Sequence, residues 1–286
     1  MSKKPIIVFE GIEGSGKSHH INKVSKYLDK KKINYIKIRE PGGSLNSEKI
    51  RRLILNKKSN FNIYTDLLLY LAARSENIDL IKYAMEYDFR DFLIMPPAYY
   101  KGNTDEGVFD FYSRIIKSSP KIKIILYNFE KLSGYKFSPG SVSTLVKFFP
   151  QNIVGCKDSS YNLFENLKLD NFLMFPGSEA KLLKGLELGC SGCISAVTNV
   201  THYLARKVFD DFEEKETQTK NEQLIAVSET FDQYNLISAL HSFHSLKDEN
   251  YKNMLPPLTL LNDQKLKELV KKLKELKFTL EKNLAA

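Results

Sequence analysis

The chain has 286 residues, enough to bury a sizeable core, and its 42% hydrophobic and 27% charged residues are typical of a soluble globular protein. It contains no apolar run of the roughly 18 residues that cross a bilayer and no signal-peptide pattern, so we expect a cytoplasmic protein without a membrane partner. The net charge of +9 comes from basic residues that are mixed with acidic ones and accompany no nucleic-acid-binding motif. It therefore predicts a lysine-rich surface rather than a nucleic-acid partner.

The first third of the chain combines strand-like and helix-like segments in the order βαβα. Short β-branched and aromatic runs predict buried strands, and apolar residues at helical spacing predict helices. The predicted elements are a strand at Ile6–Phe9, a helix at Lys17–Lys30, a strand at Tyr35–Ile38, and helices at Ser47–Leu55 and Thr65–Tyr87.

From about residue 90, strands and helices alternate regularly. Such alternation indicates a parallel sheet or barrel, and therefore an α/β fold. The predicted strands are Phe92–Met95, Ile122–Tyr127, Ile153–Cys156, Phe172–Phe175 and Cys193–Ala196. The predicted helices are Val108–Lys117, Ser141–Phe149, Tyr161–Leu169, Ala180–Leu188 and a helical tail from about Val200, including Lys265–Leu280.

A phosphate-binding loop is predicted between the first strand and the first helix. The segment from Gly11 through Gly14 and Gly16 to Lys17 and Ser18 fits the pattern G-x-x-x-x-G-K-[ST] in full. Glycines let backbone N–H groups surround an anion, and the start of the helix adds positive potential. We expect Lys17 to reach the β- and γ-phosphates of ATP, and Ser18 to hold Mg²⁺.

Residues 4–80 resemble the start of bacterial thymidylate kinase. The resemblance is carried by the phosphate loop and by the runs Arg39–Gly43, Ser47–Arg51 and Leu69–Arg74. It implies that Arg74 contacts the nucleoside monophosphate. The family's strand with an Asp-Arg-Tyr-type motif and its arginine-bearing lid are absent from the sequence, and Ile12–Ser15 contains no arginine. Because phosphoryl transfer depends on positioned positive charge, we expect nucleotide binding with little or no kinase activity.

Lys157 directly follows the predicted strand Ile153–Cys156. A lysine at the carboxyl end of a barrel strand points into the active-site mouth, where desolvation favours the neutral, nucleophilic amine. A solvated surface lysine is the ordinary alternative. The motifs at the ends of the neighbouring strands favour the catalytic interpretation.

Those motifs resemble the dihydrodipicolinate synthase / N-acetylneuraminate lyase family over about residues 78–280. They are Pro96–Lys101, Leu126–Asn128, Asn152–Ser160, Phe175–Glu179 and Gly192–Asn199, in the family's order and spacing. The resemblance implies a (β/α)8 TIM barrel that forms an imine between a lysine and the ketone of pyruvate or another 2-oxo acid, without a cofactor. It also implies a homo-oligomer, either a dimer or a tetramer.

The resemblance assigns roles to matching positions. Lys157 forms the imine, Tyr127 relays protons, and Tyr100 completes the relay from the neighbouring subunit of a tight dimer. Without Lys157 nearby, the two tyrosines would be ordinary packing residues. The substrate site is implied to include Gly177, Glu179, Ile194 and Ser195.

The substrate is less well defined by the sequence. Synthases of the family carry an arginine five residues after the tyrosine, and Leu132 occupies that position here. Leu132-Ser133-Gly134 is closer to the neuraminate-lyase branch, yet that branch has Asp-Glu where this chain has Glu179-Ala180. We therefore predict a lyase or aldolase acting on a 2-oxo acid and no finer activity.

The sequence supplies only the last five of the eight barrel strands and lacks the family's Gly-Thr-Thr-Gly-Glu motif, which predicts an impaired enzyme. The change from one resemblance to the other falls within Ala73–Lys82. The chain is either a chimera of two incomplete enzymes or a remodelled barrel completed by the phosphate-loop strands. The predicted domains are a phosphate-loop fragment at 1–77, a partial barrel at 78–215 and a helical region at 216–286.

Two pairs of metal-ligand residue types are weaker candidates. His241 and His244 lie three residues apart on a predicted helix, and Cys190 and Cys193 form a lone C-x-x-C. Neither pair has further ligands at metal-site spacing, so we expect a half-buried helix face for the histidines and small buried side chains for the cysteines.

Overall fold

The computed structural model describes residues 17–33, 45–54, 89–98, 101–254 and 258–279, and the single positions 35, 56, 61, 65, 69, 72 and 85. The predicted strand at residues 6–9 and most of that at 35–38 lie outside these residues. The two predicted N-terminal helices are confirmed as α1, Lys17–Lys30, and α2, Leu45–Ile54. Within the third predicted helix, the described positions 65, 69, 72 and 85 are helical.

Four parallel strands form the described sheet, in the order β1-β2-β3-β4. They are β1 (Asp91–Ile94), β2 (Lys123–Asn128), β3 (Ile153–Asp158) and β4 (Leu173–Pro176). The α/β prediction and four of the five predicted strands are thereby confirmed. The expected incomplete barrel and its fusion to a phosphate-loop segment involve residues outside the description and stay predictions.

The fifth predicted strand, Cys193–Ala196, is wrong. The chain runs beside β4 there but makes only two described backbone hydrogen bonds to it, from Ser191 N to Met174 O at 2.8 Å and from Ile194 N to Pro176 O at 3.1 Å. The two bonded residues are three positions apart in segment 191–194 but only two positions apart in β4, so the bonds lack the even spacing of a parallel ladder. Gly192, with φ of 142°, supplies the irregular backbone.

Three helices lie between the first strands: α3 (Asp105–Ser118), α4 (Glu130–Ser133) and α5 (Pro139–Phe148). The helices predicted at Val108–Lys117 and Ser141–Phe149 are confirmed as α3 and α5. They start earlier than predicted because Thr104 and Ser138 cap their first turns with side-chain hydrogen bonds to Gly107 N and Ser141 N.

The helix predicted at Tyr161–Leu169 is wrong, since this segment consists of bends and turns. The Asp158 carboxylate accepts backbone N–H groups of the segment, including Tyr161 N at 2.9 Å and Leu163 N at 2.8 Å. Tyr161 has a φ of 58°, outside the helical region. An aspartate that binds local N–H groups offers the backbone an alternative to helical hydrogen bonds.

The remainder of the described chain is predominantly helical, as predicted. A short 3₁₀ turn at Glu179–Lys181 leads into α6 (Leu182–Glu187). The later helices are α7 (Thr198–Glu213), α8 (Asn221–Asp232), α9 (Leu236–Ser245) and α10 (Asp263–Glu275), with a 3₁₀ turn at Glu249–Lys252. In the part of the chain that the structure describes, no helix is long and apolar enough to cross a membrane.

Two hydrophobic cores organise these elements. One lies between the sheet and its flanking helices and includes Tyr112, Leu126, Cys156 and Met174. The other lies among α6 to α10 and includes Leu204, Leu224, Phe231, Leu269 and Phe278. Each fully buried large apolar side chain contributes about 1.5–3 kcal/mol. The second core contains residues of both α7 and α8, on either side of the domain boundary predicted at residue 215. The predicted domains 1–77, 78–215 and 216–286 stay predictions.

The strand register separates the two faces of the sheet. Leu126, Cys156 and Met174 are neighbours on adjacent strands and belong to the core beneath the helices. Because side chains alternate along a strand, the next row, Tyr127, Lys157 and Phe175, faces the opposite side. In a barrel that side is the interior.

Gly155 allows β3 and β4 to approach closely. A Cβ at this position would lie 2.5 Å from the carbonyl oxygen and 2.9 Å from the Cβ of Leu173. We expect Gly155→Ala to lower the free energy of unfolding by about 1–3 kcal/mol, the usual cost of overpacking, as measured by urea denaturation. In Gly140→Ala on α5, the nearest atom to the new Cβ would be 3.7 Å away, so the free energy should not fall. Equal effects of the two substitutions would contradict the prediction.

Candidate functional site

Lys157 and Tyr127 lie side by side at the carboxyl ends of β3 and β2. They are paired in the strand register, and the Lys157 Nζ lies 4.0 Å from the centroid of the Tyr127 ring. Lys157 is only 3% exposed, and Tyr127 is partly buried. The sequence prediction of a lysine and a tyrosine meeting at strand ends agrees with this geometry.

The buried position of Lys157 affects the charge of its amine. Removing an ammonium group from water is unfavourable, so burial favours the neutral amine, the form that attacks carbonyl carbon. The face of the Tyr127 ring is electron-rich, so its contact with the Lys157 amine favours the cationic form. Burial and the ring contact therefore act in opposite directions on the charge of this nitrogen.

Asn128 and Asp158, the residues that follow Tyr127 and Lys157, form a fully buried polar pair. Asn128 Nδ2 donates to Asp158 Oδ1 at 2.8 Å and to Asn162 Oδ1 at 2.9 Å, and Asn128 Oδ1 accepts from Phe137 N at 3.1 Å. Both residues are 0% exposed. These bonds fix the ends of β2 and β3 and so the distance between the Tyr127 and Lys157 side chains.

The Asp158 carboxylate also organises the loop after β3. It accepts the backbone N–H groups of Ser160, Tyr161, Leu163 and Phe164 at 2.8 to 3.2 Å. Sequence reasoning missed this role and that of Asn128. The signal was the run Asp158-Ser159-Ser160, because such residues bind local backbone groups and favour turns.

Gly177 brings the loop after β4 against the loop after β3. Its N–H donates to Asp158 O at 2.9 Å, and a Cβ at this position would lie 2.7 Å from the Cα of Ser159. Gly177 thus stands at the same end of the sheet as Lys157, where sequence analysis placed it. The backbone of Ile194 is joined to this end by its bond to Pro176 O at 3.1 Å.

Glu179 and Ser195 are brought together, away from solvent. The Ser195 hydroxyl donates to Glu179 Oε2, and the Thr201 hydroxyl lies 3.5 Å from Glu179 Oε1. Glu179 is 0% exposed, and burial raises the pKa of its carboxyl. Cys193 lies near this carboxyl, and burial raises the pKa of its thiol to about 12.

Several predicted site residues lie outside the described residues: Gly11, Gly14, Gly16, Arg74 and Tyr100. Lys17 and Ser18 are the first two described residues of α1, and their side chains are not described. The roles predicted for these seven residues stay predictions.

Helix α1 contacts the C-terminal helical region. Lys23 Nζ pairs with Asp248 Oδ2 at 3.0 Å, and the Tyr251 hydroxyl is hydrogen-bonded to His20 Nε2. The ring of His244 stacks on that of Tyr251, with centroids 4.6 Å apart. His20 and Lys23 belong to the segment that resembles a kinase, so contacts cross between the two parts of the chain.

The histidine and cysteine pairs are part of the packing. His241 Nδ1 is 2.9 Å from Tyr251 O, the three cysteines form no disulfide, and Cys156 and Cys190 are buried. The small buried side chains expected for Cys190 and Cys193 are confirmed for Cys190, whereas Cys193 is partly exposed. Among the described residues, no group of three or more His, Cys, Asp or Glu side chains is placed to hold a metal ion.

Comparison with known proteins identifies the two parts. The sequence model described as the dihydrodipicolinate synthetase family matches residues 72–276, well over half of the chain. The chain belongs to the dihydrodipicolinate synthetase family. The thymidylate kinase model matches residues 9–95. The two-part organisation predicted from the sequence is confirmed, and the two matches overlap around the predicted junction at Ala73–Lys82.

Individual relatives follow the same division. Over 73 residues the chain is 47% identical to a thymidylate kinase of Thermosipho africanus, a match that covers 26% of this chain and 36% of that protein. Over 187 residues it is 28% identical to a 2-dehydro-3-deoxy-D-gluconate/2-dehydro-3-deoxy-phosphogluconate aldolase of Picrophilus torridus, covering 63% of this chain and 69% of that protein. The chain thus spans little more than a third of the kinase.

The family fold is supported by solved structures. The chain superimposes on YagE, a dihydrodipicolinic acid synthase family protein of E. coli K12 that was crystallised in complex with pyruvate, with a TM-score of 0.62. The sequence identity is 19%, and the superposition covers 72% of each chain. At this identity the likeness concerns the fold alone, and it supports an α/β fold like that of solved proteins of the dihydrodipicolinate synthetase family.

Proposed function

We propose that this protein is a lyase or aldolase that forms a Schiff base between Lys157 and pyruvate or a related 2-oxo acid. The observation that carries the proposal is the buried Lys157 amine, 4.0 Å from the ring centroid of Tyr127 at the carboxyl end of parallel strands. Two comparisons support the proposal. The similar protein of Picrophilus torridus is named an aldolase, and YagE, which has a similar fold, was crystallised in complex with pyruvate.

The chemistry follows from these groups. The neutral Lys157 amine adds to the ketone carbon of the 2-oxo acid, and loss of water leaves an iminium. The iminium draws electrons from the bond between the carbon next to it and the hydroxyl-bearing carbon beyond, so removal of that hydroxyl proton lets this bond break and release an aldehyde. The electron pair remains as an enamine, which accepts a proton and is hydrolysed to pyruvate and free lysine.

Proton transfers in this sequence are assigned to Tyr127, with Tyr100 of a neighbouring subunit as the second member of the relay in a homo-oligomer. The phenol is a donor and an acceptor, so it can deliver the proton that makes water a leaving group and remove it again. Gly177 and the backbone at Ile194 are proposed to line the substrate site at the same end of the sheet.

Borohydride reduction in the presence of pyruvate tests the proposal. We expect the mass of one carboxyethyl group to be added at Lys157, located by peptide mass spectrometry, because the imine is reduced to a stable secondary amine. Lys157→Gln should give no adduct. Lys147→Gln, which removes an exposed lysine on α5, should retain it. An adduct on surface lysines in place of Lys157, or none, would refute the proposed function.

The alternative is a thymidylate kinase-like, ATP-binding protein, or an inactive chimera of the two enzymes. It is favoured by the start of α1 at Lys17 and by the 47% identity over 73 residues to a kinase. Lys17 would hold the phosphates, Ser18 the Mg²⁺ and Arg74 the monophosphate. A kinase-like protein requires ATP binding that is lost in Lys17→Ala and phosphorylation of a nucleoside monophosphate by the wild-type protein, whereas an inactive chimera requires that neither this activity nor the pyruvate adduct is found.

A further inference from the structure

Glu179 is a buried carboxyl immediately after the strand next to the Lys157 strand. It follows β4 by three residues and begins the 3₁₀ turn at Glu179–Lys181. The Ser178 hydroxyl accepts Ala180 N at 3.3 Å and fixes the start of this turn. With 0% exposure, the carboxyl has no surface to offer to a ligand at this end of the sheet.

The hydrogen-bond partners of this carboxyl come from two later parts of the chain. Ser195 Oγ donates to Oε2, and Thr201 Oγ1, in the first turn of α7, lies 3.5 Å from Oε1. Helix α8 packs against the 3₁₀ turn that Glu179 begins, and burial and the charge of Asp232 at the end of that helix raise the pKa of the carboxyl. Through its hydrogen bonds Glu179 therefore links the loop after β4 to the segment 191–196 and to α7.

The segment 191–196 depends on such a link. It occupies the place where sequence analysis predicted a fifth strand, yet only Ser191 N and Ile194 N are described as bonded to β4. Apart from the bond between Ser195 and Glu179, its remaining described bonds are local turns to residues 197–199, which include those from Val197 N to Ser195 Oγ at 3.3 Å and from Asn199 N to Ala196 O at 3.2 Å. A segment without a continuous ladder requires other contacts to hold its position.

We propose that Glu179 is a positioning residue that holds segment 191–196 against β4 through Ser195, and so keeps the backbone of Ile194 at the substrate end of the sheet. Glu179 acts on the substrate through this segment rather than by contact. The effect on catalysis rests on the proposed aldolase function, whereas the effect on the segment does not.

Backbone hydrogen exchange measured by mass spectrometry on the full chain tests the structural step. Loss of a hydrogen bond to a carboxyl is worth enough to raise local opening about tenfold or more. We therefore expect Glu179→Ala to increase exchange in peptides covering 191–196 by at least about tenfold, with exchange in β3 unchanged. Glu179→Gln, which keeps an acceptor oxygen of the same reach, should remain close to the wild type. Glu187→Ala removes an exposed acid from α6 and is the matched control.

The kinetic arm uses the same variants with pyruvate and borohydride. If the segment lines the substrate site, Glu179→Ala should raise the pyruvate concentration for half-maximal trapping by about tenfold, with a smaller change in the maximal rate, and Glu179→Gln should restore it. Unchanged exchange in 191–196, or a Glu179→Gln variant as damaged as Glu179→Ala, would overturn the proposal.

Two further outcomes remain informative. If Glu179→Ala does not fold, Ser195→Ala removes the same contact from the other side and is expected to raise exchange in the same peptides. Unchanged exchange in that variant would overturn the proposal. If the wild-type protein gives no pyruvate adduct, the proposed function fails, and the exchange experiment still decides whether Glu179 positions the segment.

Discussion

Asp158→Ala is expected to lower the free energy of unfolding by about 4 kcal/mol, because it leaves several buried donors without their acceptor. The carboxylate is 0% exposed and accepts five described hydrogen bonds, one from Asn128 and four from backbone N–H groups of the following loop. An alanine side chain replaces none of them. The expected value is below the sum of five bonds because water can reach the loop once it opens.

Urea denaturation followed by circular dichroism measures this effect, with Asp170→Ala as the control. Asp170 is exposed in the same connection between β3 and β4, and its removal should change the free energy of unfolding by no more than about 0.5 kcal/mol. A loss of less than about 1 kcal/mol in Asp158→Ala would show that the loop does not depend on this carboxylate.

Acidification is expected to destabilise the protein through His244. Burial lowers the pKa of His244 to about 4 from an ordinary value of 6.5, with further contributions from the charges of His20, His241 and His202, while Asp248 acts in the opposite direction. Between these pH values the unfolded chain binds a proton that the folded chain does not. Stability is therefore complete above pH 6.5 and falls by up to about 3 kcal/mol as the pH approaches 4.

The comparison with His244→Phe isolates this contribution. Phenylalanine keeps an aromatic ring against Tyr251 and removes the buried Nε2, which has no hydrogen-bond partner among the described residues. The variant should match the wild type near pH 7.5 and exceed its stability at pH 4.5. Burial raises the pKa of Glu179, so protonation of that group stabilises the fold in acid. Because Glu179 is present in both the wild type and His244→Phe, the difference in stability between the two proteins cancels this opposing effect.

Exposed His202 on α7 provides the control for that experiment. His202→Gln removes only one of the smaller contributions to the pKa of His244, so it should change the difference between pH 7.5 and pH 4.5 much less than His244→Phe does. Parallel stability curves for wild type and His244→Phe would contradict the assignment to His244.

The sequence predicted the parts of the site that depend on strand position. A strand end and its register place Lys157 beside Tyr127, and both rules act within a few residues. The start of α1 at Lys17 follows equally from a local pattern. These features were accessible because hydrophobic periodicity and the glycine-rich turn determine them without knowledge of distant contacts.

The sequence failed where a side chain or an unusual backbone angle replaced the expected hydrogen bonds. The Asp158 carboxylate captures the N–H groups that a helix at Tyr161–Leu169 would have used, and Gly192 interrupts the strand expected at Cys193–Ala196. The surroundings of Glu179 depend on how α7 and α8 fold back, which no local pattern contains. The position of Glu179 after a strand suggested that it contacts the substrate, and only the tertiary packing shows that its carboxyl is buried.

The contacts of α1 with the C-terminal helical region bear on how the two parts can be separated. The salt bridge from Lys23 to Asp248 and the hydrogen bond between His20 and Tyr251 join segments that match different families. Proteolytic excision of residues 1–77 would strip one side of the Tyr251–His244 stack and expose aromatic surface. The junction between the two family matches is therefore not a boundary at which this protein separates into independent parts, and residues 78–286 released by such a cut should be prone to self-association.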